Sequence, residues 1–471
     1  MNRLASPMML SRVIPVPMRR RKFGIFKQKK VKELPVELLV EIFLYCLPTD
    51  GFPTPSRREA PILLGRVCRA WRAVSLATPR LWTQINLTPF PDTPYWTSKM
   101  FHQVGIFEWM RWSADCPLSF EIGSHIDRHD AFPLLPLTLQ YEAHRWKAVH
   151  LRSTCFCVSY ILDMLLKPGK TPMLTEIRFL NEEPFRDYPI SCAPQLISIH
   201  LRAWYPSFLY SGKFAALREL RINPCENTRN IQAYSSMLAH CPSLKILEIV
   251  YPSLCLWGST KPRELYIMRH LHTIILGGHN QPLPLKQLSQ LDTPVLHSLA
   301  VSLWGPTNYP SKHVSKHLST FLMRCGSQLQ RLKVAGDFMS CSDLVECLRH
   351  TPLLQSLAVE SIMLGMDLST LCPRLVHFDV LWTRFWMEQT IIAVDVVVKR
   401  WKESRSGWST IISPATLRVD REYLPAVLRL QEITECMERG MRVTSMPFDK
   451  ECWWASHVPM PDLVSSGVSR F

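Results

Sequence analysis

Histidine and cysteine are the residue types of this chain best suited to metal binding or redox chemistry. His125 and His129 stand four residues apart, the spacing of two metal ligands on one helix face. The segment between them has no Glu beside the first His and no clear third ligand, so we expect a loop. The fifteen cysteines include no Cys-x-x-Cys pair, which argues against a zinc ribbon or a redox pair. We therefore expect buried, reduced thiols, no metal and no cofactor.

Motifs that bind phosphate or activate a nucleophile are absent from the sequence. Gly277-Gly278 stands alone in a chain of only 17 glycines, so no glycine-rich phosphate loop is indicated. Neither a Gly-x-Ser-x-Gly elbow nor a His-Glu-x-x-His helix occurs. These absences argue against an enzyme, and we expect a non-catalytic protein.

Basic residues are concentrated in residues 1–32. This tail holds ten Lys and Arg and no acid, so the other 439 residues carry 16 − 10 = +6 of the net charge. Its cluster at 19–22, followed by Lys27, Lys29 and Lys30, could be a nuclear-localisation signal, a nucleic-acid-binding arm or a solvated leader. The only aromatic residues there are Phe23 and Phe26, so a nucleic-acid partner is the least favoured of the three.

A repeated apolar spacing runs through the middle of the chain and must position most of its other side chains. The spacing is Leu-x-x-Leu-x-Leu, with aliphatic or Phe replacements, and successive copies start 21 to 33 residues apart. The copies are Leu174/Ile177/Phe179, Leu196/Ile199/Leu201, Leu217/Leu220/Ile222, Leu244/Leu247/Ile249, Leu271/Ile274/Leu276, Leu296/Leu299/Val301, Leu329/Leu332/Val334, Leu354/Leu357/Val359, Leu375/Phe378/Val380 and a weaker Trp146/Val149/Leu151. Each copy predicts a short parallel strand beside the previous one, with helical return segments at Val314–Cys325 and Asp343–His350.

Basic residues recur on the face of these strands that points away from the apolar positions. The residue between the last two apolar positions is His150, Arg178, His200 and Arg221 in four successive copies, and Arg202 lies two positions beyond His200. Arginine suits a carboxylate or phosphate because its planar fork can donate two hydrogen bonds. The pattern predicts a site for an acidic or phosphorylated protein segment; the alternative is a solvated strand face with no ligand.

Two short amphipathic helices are predicted after the basic tail. The first follows Leu34 and Pro35, and its apolar stripe is Leu38, Leu39, Ile42 and Phe43. The stripe of the second is Leu64, Val67, Cys68 and Trp71. The proline-rich insertion between them, Pro48–Pro61, is expected to form a surface loop. Together the two helices predict a small helical domain.

The order of these motifs resembles an F-box. Leu-Pro-x-Glu-Leu-Leu at 34–39 precedes Ile-Phe at 42–43, Val-Cys-Arg-x-Trp-Arg at 67–72 and Pro-Arg-Leu-Trp at 79–82. The apolar copies resemble leucine-rich repeats over roughly Ala143 to Leu381, but only Cys225 occupies the usual capping position, so an irregular horseshoe is expected. An F-box joined to degenerate repeats is familiar in fungi, and the chain is identified as a basidiomycete-like protein of this kind.

The resemblance implies the substrate receptor of an SCF-type cullin-RING ubiquitin ligase. In that family the F-box binds a Skp-type adaptor, which joins the receptor to a cullin, and the repeats bind a protein substrate. The positions matching adaptor-contacting or F-box core residues are Leu34, Pro35, Leu38, Leu39, Ile42, Phe43, Val67, Cys68 and Trp71. The alternative functions are a repeat scaffold without a ligase role and a nucleic-acid-associated protein.

The expected fold class is α/β: a small all-α F-box domain, then an irregular leucine-rich-repeat solenoid with parallel strands on its concave side and helices outside. The expected limits are 1–32 for the basic tail, 33–87 for the F-box, 88–142 for an entry linker, 143–381 for the solenoid, 382–443 for a helical cap and 444–471 for an irregular tail. The cap is expected to hold helices at Met387–Lys402 and Glu422–Arg439 and a strand at Ala415–Val419. No apolar run reaches the roughly 18 residues of a membrane span, and residues 1–30 lack a signal-like stretch, so we expect a soluble cytoplasmic or nuclear protein without a membrane partner.

Overall fold

The structure analysed is a computed structural model of the protein. It describes residues 34–49, 51–87, 105–123, 139–152, 161, 164–165, 169–180, 195–202, 214–223, 238–251, 265–279, 285, 288–304, 311–336, 338–360, 368–381, 387–404, 416–419 and 421–446. The basic tail and the segment holding His125 and His129 lie outside these residues, so the interpretations given to them stay predictions.

The N-terminal helices are short. Helix α1 (Val36–Tyr45) follows Pro35, whose fixed φ suits a helix start, and ends at Cys46. The second predicted helix is interrupted: a 3₁₀ turn at Leu64–Arg66 is followed by helix α2 (Arg69–Leu76). The interruption falls at Cys68, whose extended backbone lets its Sγ accept the N–H of Trp71 at 3.4 Å and so cap α2. The prediction of a single helix that carries both Leu64 and Trp71 is therefore wrong.

Parallel strands dominate the rest of the described chain. Their bounds are β1 (Gln84–Asn86), β2 (Leu118–Ile122), β3 (Trp146–Leu151), β4 (Glu176–Leu180), β5 (Ser198–Arg202), β6 (Glu219–Ile222), β7 (Ile246–Tyr251), β8 (Tyr266–Ile267), β9 (Thr273–His279), β10 (Leu291–Asp292), β11 (Ser298–Trp304), β12 (Arg331–Ala335), β13 (Ser356–Glu360), β14 (His377–Leu381), β15 (Thr416–Val419) and β16 (Arg442–Ser445). Fourteen form one sheet in chain order, and β8 pairs with β10. The predicted parallel sheet is confirmed, and it is compatible with a solenoid.

The repeated apolar spacing fills the core. Every apolar position of all ten copies is buried, and none of these side chains is more than 6% exposed. The register explains this regularity, because Ile177, Ile199 and Leu220 are direct partners in neighbouring strands and their side chains point to one face. Each new strand therefore extends the same apolar layer.

A recurring turn leads into several of these strands. The carbonyl of the residue before a proline accepts the N–H of the leucine that opens the next copy, as Cys241 does for Leu244 at 3.2 Å and Thr351 does for Leu354 at 3.2 Å. Thr293 and Cys372 make the same turn, and all four residues are fully buried. Proline suits the turn because it lacks an N–H to satisfy.

Helices accompany the strands in the C-terminal half. Helix α3 (Ser311–Cys325) and helix α4 (Cys341–Arg349) confirm the two predicted return helices, and they pack on each other. Ser340 and Asp343 cap α4 reciprocally, each side chain accepting the other residue's N–H at 3.2 Å. Helix α5 (Leu368–Leu371) packs on both α4 and helix α6 (Met387–Ser404). Helix α6 matches the predicted Met387–Lys402.

The region expected to be a helical cap also continues the sheet. Strand β15 confirms the strand predicted at Ala415–Val419, and β16 extends the sheet by one further strand. The single helix predicted at Glu422–Arg439 is instead two short ones, α7 (Leu424–Val427) and α8 (Gln431–Glu438). Helix α8 is followed by Gly440 at φ +104°, a conformation that glycine adopts readily.

One apolar core runs through the whole described chain. It contains Leu39 and Phe43 of α1 as well as Ile433 of α8. The F-box segment and the repeats therefore share one core. The sheet begins at β1, within the segment predicted as the F-box, and its second strand, β2, lies within the stretch predicted as a linker. It also continues past residue 381, through β15 and β16. Strands β1, β2 and β16 lack the full leucine spacing, which is why the pattern missed them.

The described cysteines fit the expectation of buried, reduced thiols only in part, because Cys46 and Cys68 are exposed. All nine in this part of the chain are free, and five of them are buried. Burial raises the pKa of the Cys241, Cys347 and Cys372 thiols to about 12. A thiol with so high a pKa forms little thiolate at neutral pH, so these cysteines act as small apolar core residues.

Candidate partner-binding surfaces

Helix α1 exposes a stripe of large apolar side chains. The exposed stripe consists of Leu34 just before the helix and of Leu38, Ile42 and Tyr45 within it, which are 52%, 54%, 42% and 87% exposed. Their spacing of four, four and three residues places them on one side of the helix. Large apolar groups aligned on one rigid exposed surface are typical of protein interaction sites.

The opposite side of α1 anchors the helix to the core. Leu39 and Phe43 are buried, and the Phe43 ring contacts the Trp71 ring with centroids 4.9 Å apart. The structure thereby divides the nine positions matched from the sequence. Leu34, Pro35, Leu38, Ile42, Val67 and Cys68 are exposed and available to a partner, whereas Leu39, Phe43 and Trp71 pack inward.

Some exposed apolar side chains of this part of the chain were not predicted from the sequence. Tyr45 follows Leu38 by seven residues, so the helical spacing alone could have added it to the stripe. Leu63 and Leu76, which are also exposed, lie beside the 3₁₀ turn and at the end of α2. Nothing in their local spacing separates them from core leucines, because exposure there depends on tertiary packing.

A second candidate surface follows the sheet face opposite the apolar copies. The strand register places Glu121, His150, Arg178, His200, Arg221 and Glu248 directly beside one another on β2 to β7. The predicted alignment of the four basic positions is therefore confirmed. We call these six residues, with the flanking Arg152, Glu176 and Glu219, the ion-pair ladder.

Carboxylates of the ladder pair with its basic residues. His150 Nε2 lies 3.1 Å from Glu176 Oε1, and Arg178 donates to the same oxygen. Arg221 donates to Glu219 at 2.6 Å and to Glu248 at 2.6 Å. Glu219 Oε1 also lies 3.4 Å from His200 Nε2, and Arg152 Nε lies 2.9 Å from Glu121 Oε1. Each positive side chain of the ladder thus already has an acidic neighbour.

This pairing does not fit the free anion site predicted from the sequence. Three arginines of the ladder face four glutamates, so the charges of these seven side chains sum to 3 − 4 = −1. His200 and Arg221 are also buried, so neither is open to a bound anion. The side chain of Arg202 lies outside the described residues. Glu176 and Glu219 were missed although each stands two residues before an arginine, on the same strand face.

The proline-rich insertion reaches this ladder. Pro53 is buried, and its carbonyl accepts the N–H of Asn86 in β1 at 2.8 Å. The Phe52 ring stacks on His150 with centroids 4.7 Å apart. The insertion is therefore more than the surface loop expected of it, because it fixes the N-terminal helices to the edge of the sheet.

Beyond Glu248 the same column is mostly apolar, with Lys333 as its one charged member before Asp379. Ile275, Ala300 and Ala358 form a small buried cluster against which Leu381 packs. Further along, Asp379 is buried and held by Arg418, which donates to its two oxygens at 2.6 and 2.8 Å. The ladder face therefore consists of a charged N-terminal part, a mostly apolar centre that includes Lys333, and one buried ion pair near its end.

Two carboxylates of the ladder, Glu176 and Glu219, stay ionised at neutral pH because their pKa values are lowered. Burial alone would raise the pKa of Glu176, but hydrogen bonding and positive charge from His150 and Arg178 lower it to about 2. The pKa of Glu219 is lowered in the same way, against the effect of burial, by His200 and Arg221. Their ion pairs therefore persist across the physiological range.

We expect these lowered pKa values to make the protein sensitive to acid. A carboxyl whose folded pKa lies below its unfolded value of 4.5 stabilises the fold fully above that pH and loses this effect as pH falls toward 2. Glu176→Gln should cost about 1–2 kcal/mol at pH 7, after discounting for partial exposure, and little at pH 2.5. Urea unfolding at both pH values measures the difference.

The matched control for this experiment is Glu346→Gln. Glu346 is a half-exposed carboxylate on α4 that pairs with Arg349, and exposed pairs contribute little. Its substitution should change stability by less than about 0.5 kcal/mol at either pH. A cost for Glu176→Gln that is the same at pH 7 and pH 2.5 would contradict the assigned role of the ladder.

Comparison with known proteins bears on the first of these surfaces. Within the described residues, no group of His, Cys, Asp and Glu could hold a metal ion, and no helix is long and apolar enough to cross a membrane. No curated protein matches the chain. Residues 31–88, which carry the exposed stripe of α1, match the F-box-like family, and this part of the chain is an F-box-like domain.

Proposed function

We propose that the protein is the substrate-recognition subunit of an SCF-type cullin-RING ubiquitin ligase. The observation that carries the proposal is the exposed stripe of α1 inside a segment that matches the F-box-like family. F-box domains generally bind Skp-type adaptors. In this proposal the adaptor covers Leu34, Leu38, Ile42 and Tyr45 and joins the protein to a cullin.

The stripe is well suited to a protein partner. Leu39 and Phe43 hold α1 against the core, so its outer face is already in position before binding and little order has to be gained. Burying apolar surface contributes about 25 cal/mol per Å². Four large side chains on one rigid helix can therefore supply much of the binding free energy.

The repeats, which we interpret as degenerate leucine-rich repeats, would hold the protein substrate in this proposal. Arg152 and Arg178 are the accessible cations of the ladder, with side chains 56% and 41% exposed. Each already pairs with a glutamate, so an acidic or phosphorylated segment would have to displace a carboxylate. The ladder therefore does not support the acidic substrate expected from the sequence, and the substrate's chemistry is left open.

The role assigned to the protein is non-catalytic. It would supply recognition while the cullin-bound machinery transfers ubiquitin, in the cytoplasm or the nucleus. A repeat scaffold without a ligase role would have the same sheet but would not need an adaptor. A nucleic-acid-associated protein would bind through the basic tail.

Co-purification distinguishes these functions. The full chain is expected to capture a Skp-type adaptor, and through it a cullin, equally well at 150 and 500 mM salt, because apolar contacts are insensitive to salt. Binding driven by phosphate contacts would fall steeply over that range. Failure to capture any Skp-type adaptor would overturn the ligase proposal.

A further inference from the structure

One column of side chains changes its charge along the sheet. It lies on the ladder face, and the strand register orders it as Glu176, Ser198, Glu219, Ile246, Thr273, Ser298, Arg331, Ser356, His377, Thr416 and Arg442. Side chains in register on parallel strands point to the same face. In this column the face is therefore acidic near the N-terminal strands and basic near the C-terminal ones.

The three basic members of the column are exposed. Arg331, His377 and Arg442 are the first residues of β12, β14 and β16, and each is exposed. We call these three residues the basic row. Ser356 and Thr416 lie between them and have short side chains, so no bulky group separates the basic ones. The basic row is therefore open to a partner along its length.

The basic row differs from the ladder in having no acidic partner. In the part of the chain that the structure describes, none of its three side chains forms an ion pair. Asp379 lies on the same sheet face, but it is buried and both of its oxygens accept hydrogen bonds from Arg418. Burial and the positive charges of Arg418 and Arg331 lower the pKa of His377. The row therefore lies in a positive field that attracts an anionic partner.

The spacing of the basic row limits the kind of anion that fits it. One strand separates each basic residue from the next, and neighbouring strands lie about 4.8 Å apart, so the row repeats at about 9.6 Å. A polyproline II segment has about three residues per turn and rises about 3.1 Å per residue, so every third side chain points the same way at intervals of about 9.3 Å. Side chains on one face of a β-strand repeat at about 6.8 Å, and phosphates follow one strand of a DNA duplex at about 3.4 Å. Of these three repeats, the polyproline II repeat matches the row.

We infer that the basic row binds an acidic protein segment in the polyproline II conformation, with an acidic side chain at every third position. Arg331 and Arg442 each bind an outer carboxylate through two hydrogen bonds, and His377 donates to the central one. Glu176 and Glu219, at the other end of the column, repel such a segment and confine it to the C-terminal strands. The inference rests on the proposed function, because it names the class of substrate that the receptor would recognise.

The test measures binding of a fluorescein-labelled peptide, Glu-Pro-Pro-Glu-Pro-Pro-Glu, to the full chain by fluorescence anisotropy. This peptide should bind at least about fivefold more tightly than its isomer Glu-Glu-Glu-Pro-Pro-Pro-Pro, which has the same charge without the spacing. It should also bind more tightly than a single-stranded tetranucleotide, which carries three phosphates. The inference is overturned if the first peptide does not bind, if the two isomers bind equally, or if the tetranucleotide binds as tightly as the first peptide.

Paired substitutions separate the basic row from the general positive charge of the protein. Arg331→Gln and Arg442→Gln together should weaken binding of the first peptide by at least about tenfold. Both side chains are exposed, so the melting temperature should not change. The matched control is Arg374→Gln with Arg439→Gln, which removes the same charge from exposed arginines three residues before His377 and Arg442. An equal loss of binding in both double variants would show that net charge, and not the row, holds the peptide.

Adaptor capture is a separate readout of the same protein. A chain that captures a Skp-type adaptor but does not bind the first peptide overturns this inference and leaves the ligase proposal in place. A chain that binds the peptide with the expected spacing but captures no adaptor overturns the ligase proposal and leaves the basic row as a peptide-binding site. The two failures are therefore distinguishable.

Discussion

Capture of a Skp-type adaptor should fall by at least about 100-fold, or about 2.7 kcal/mol, when Leu38→Glu and Ile42→Lys are combined. Both side chains are exposed on the stripe of α1, and burying a charge there against an apolar partner is costly. Glu followed by Lys four residues later is a favourable helical pair, so α1 should persist. Titration of the adaptor on the immobilised full chain measures the loss.

The control for this variant is an equally polar change at a distant exposed site. Met323 is 64% exposed on α3, and Met323→Glu should leave adaptor binding and stability unchanged. The double variant should also keep the wild-type melting temperature. The F-box-like domain and the repeats share one core, but Leu38 and Ile42 are exposed and lie outside it. Replacing them therefore leaves the packing of that core unchanged. Normal adaptor capture by the double variant would contradict the proposed function.

The repeats were predictable because their physical cause is periodic. A strand alternates its side chains, and a leucine every second or third position can only be buried if each copy lies beside the last. Leu220 and Leu247 illustrate this, since they are direct partners in β6 and β7. The sheet's outer strands were missed because β1 has one buried apolar residue, Ile85, and β16 has none. Their pairing depends on the neighbouring strand rather than on their own pattern.

Side-chain partners were less predictable than strands. The predicted basic patch rested only on the middle residue of each copy, although side chains two positions apart share a strand face. Glu176 and Glu219 therefore went unnoticed, and a ladder of ion pairs was taken for a basic patch. Phe52 could not have been assigned at all, since its contact with His150 joins residues 98 positions apart through a loop. Long-range contacts of this kind leave no local signal.

Replacing the buried carboxylate of the ladder, Glu248, is expected to cause the second large effect, a loss of folding stability. Glu248 is fully buried, and its carboxylate accepts a hydrogen bond from Arg221 at 2.6 Å. Glu248→Ala removes this partner and leaves a buried guanidinium less well compensated, for which losses of about 3–5 kcal/mol are typical. Because Glu219 still pairs with Arg221, we expect a loss of about 3 kcal/mol, the lower end of that range. Denaturant unfolding measures it as a lower midpoint at unchanged slope.

A double variant tests whether the loss comes from the unpaired charge or from missing volume. Replacing Arg221 and Glu248 together by Met removes both charges and keeps most of the buried volume, and such replacements are often close to neutral. The double variant should therefore be clearly more stable than Glu248→Ala. If both variants lose the same stability, the cost reflects packing around Glu248 rather than its ion pair. If Glu248→Ala loses less than about 1 kcal/mol, the pair contributes no more than an exposed salt bridge. Either result would show that the buried ion pair between Arg221 and Glu248 does not stabilise this part of the sheet.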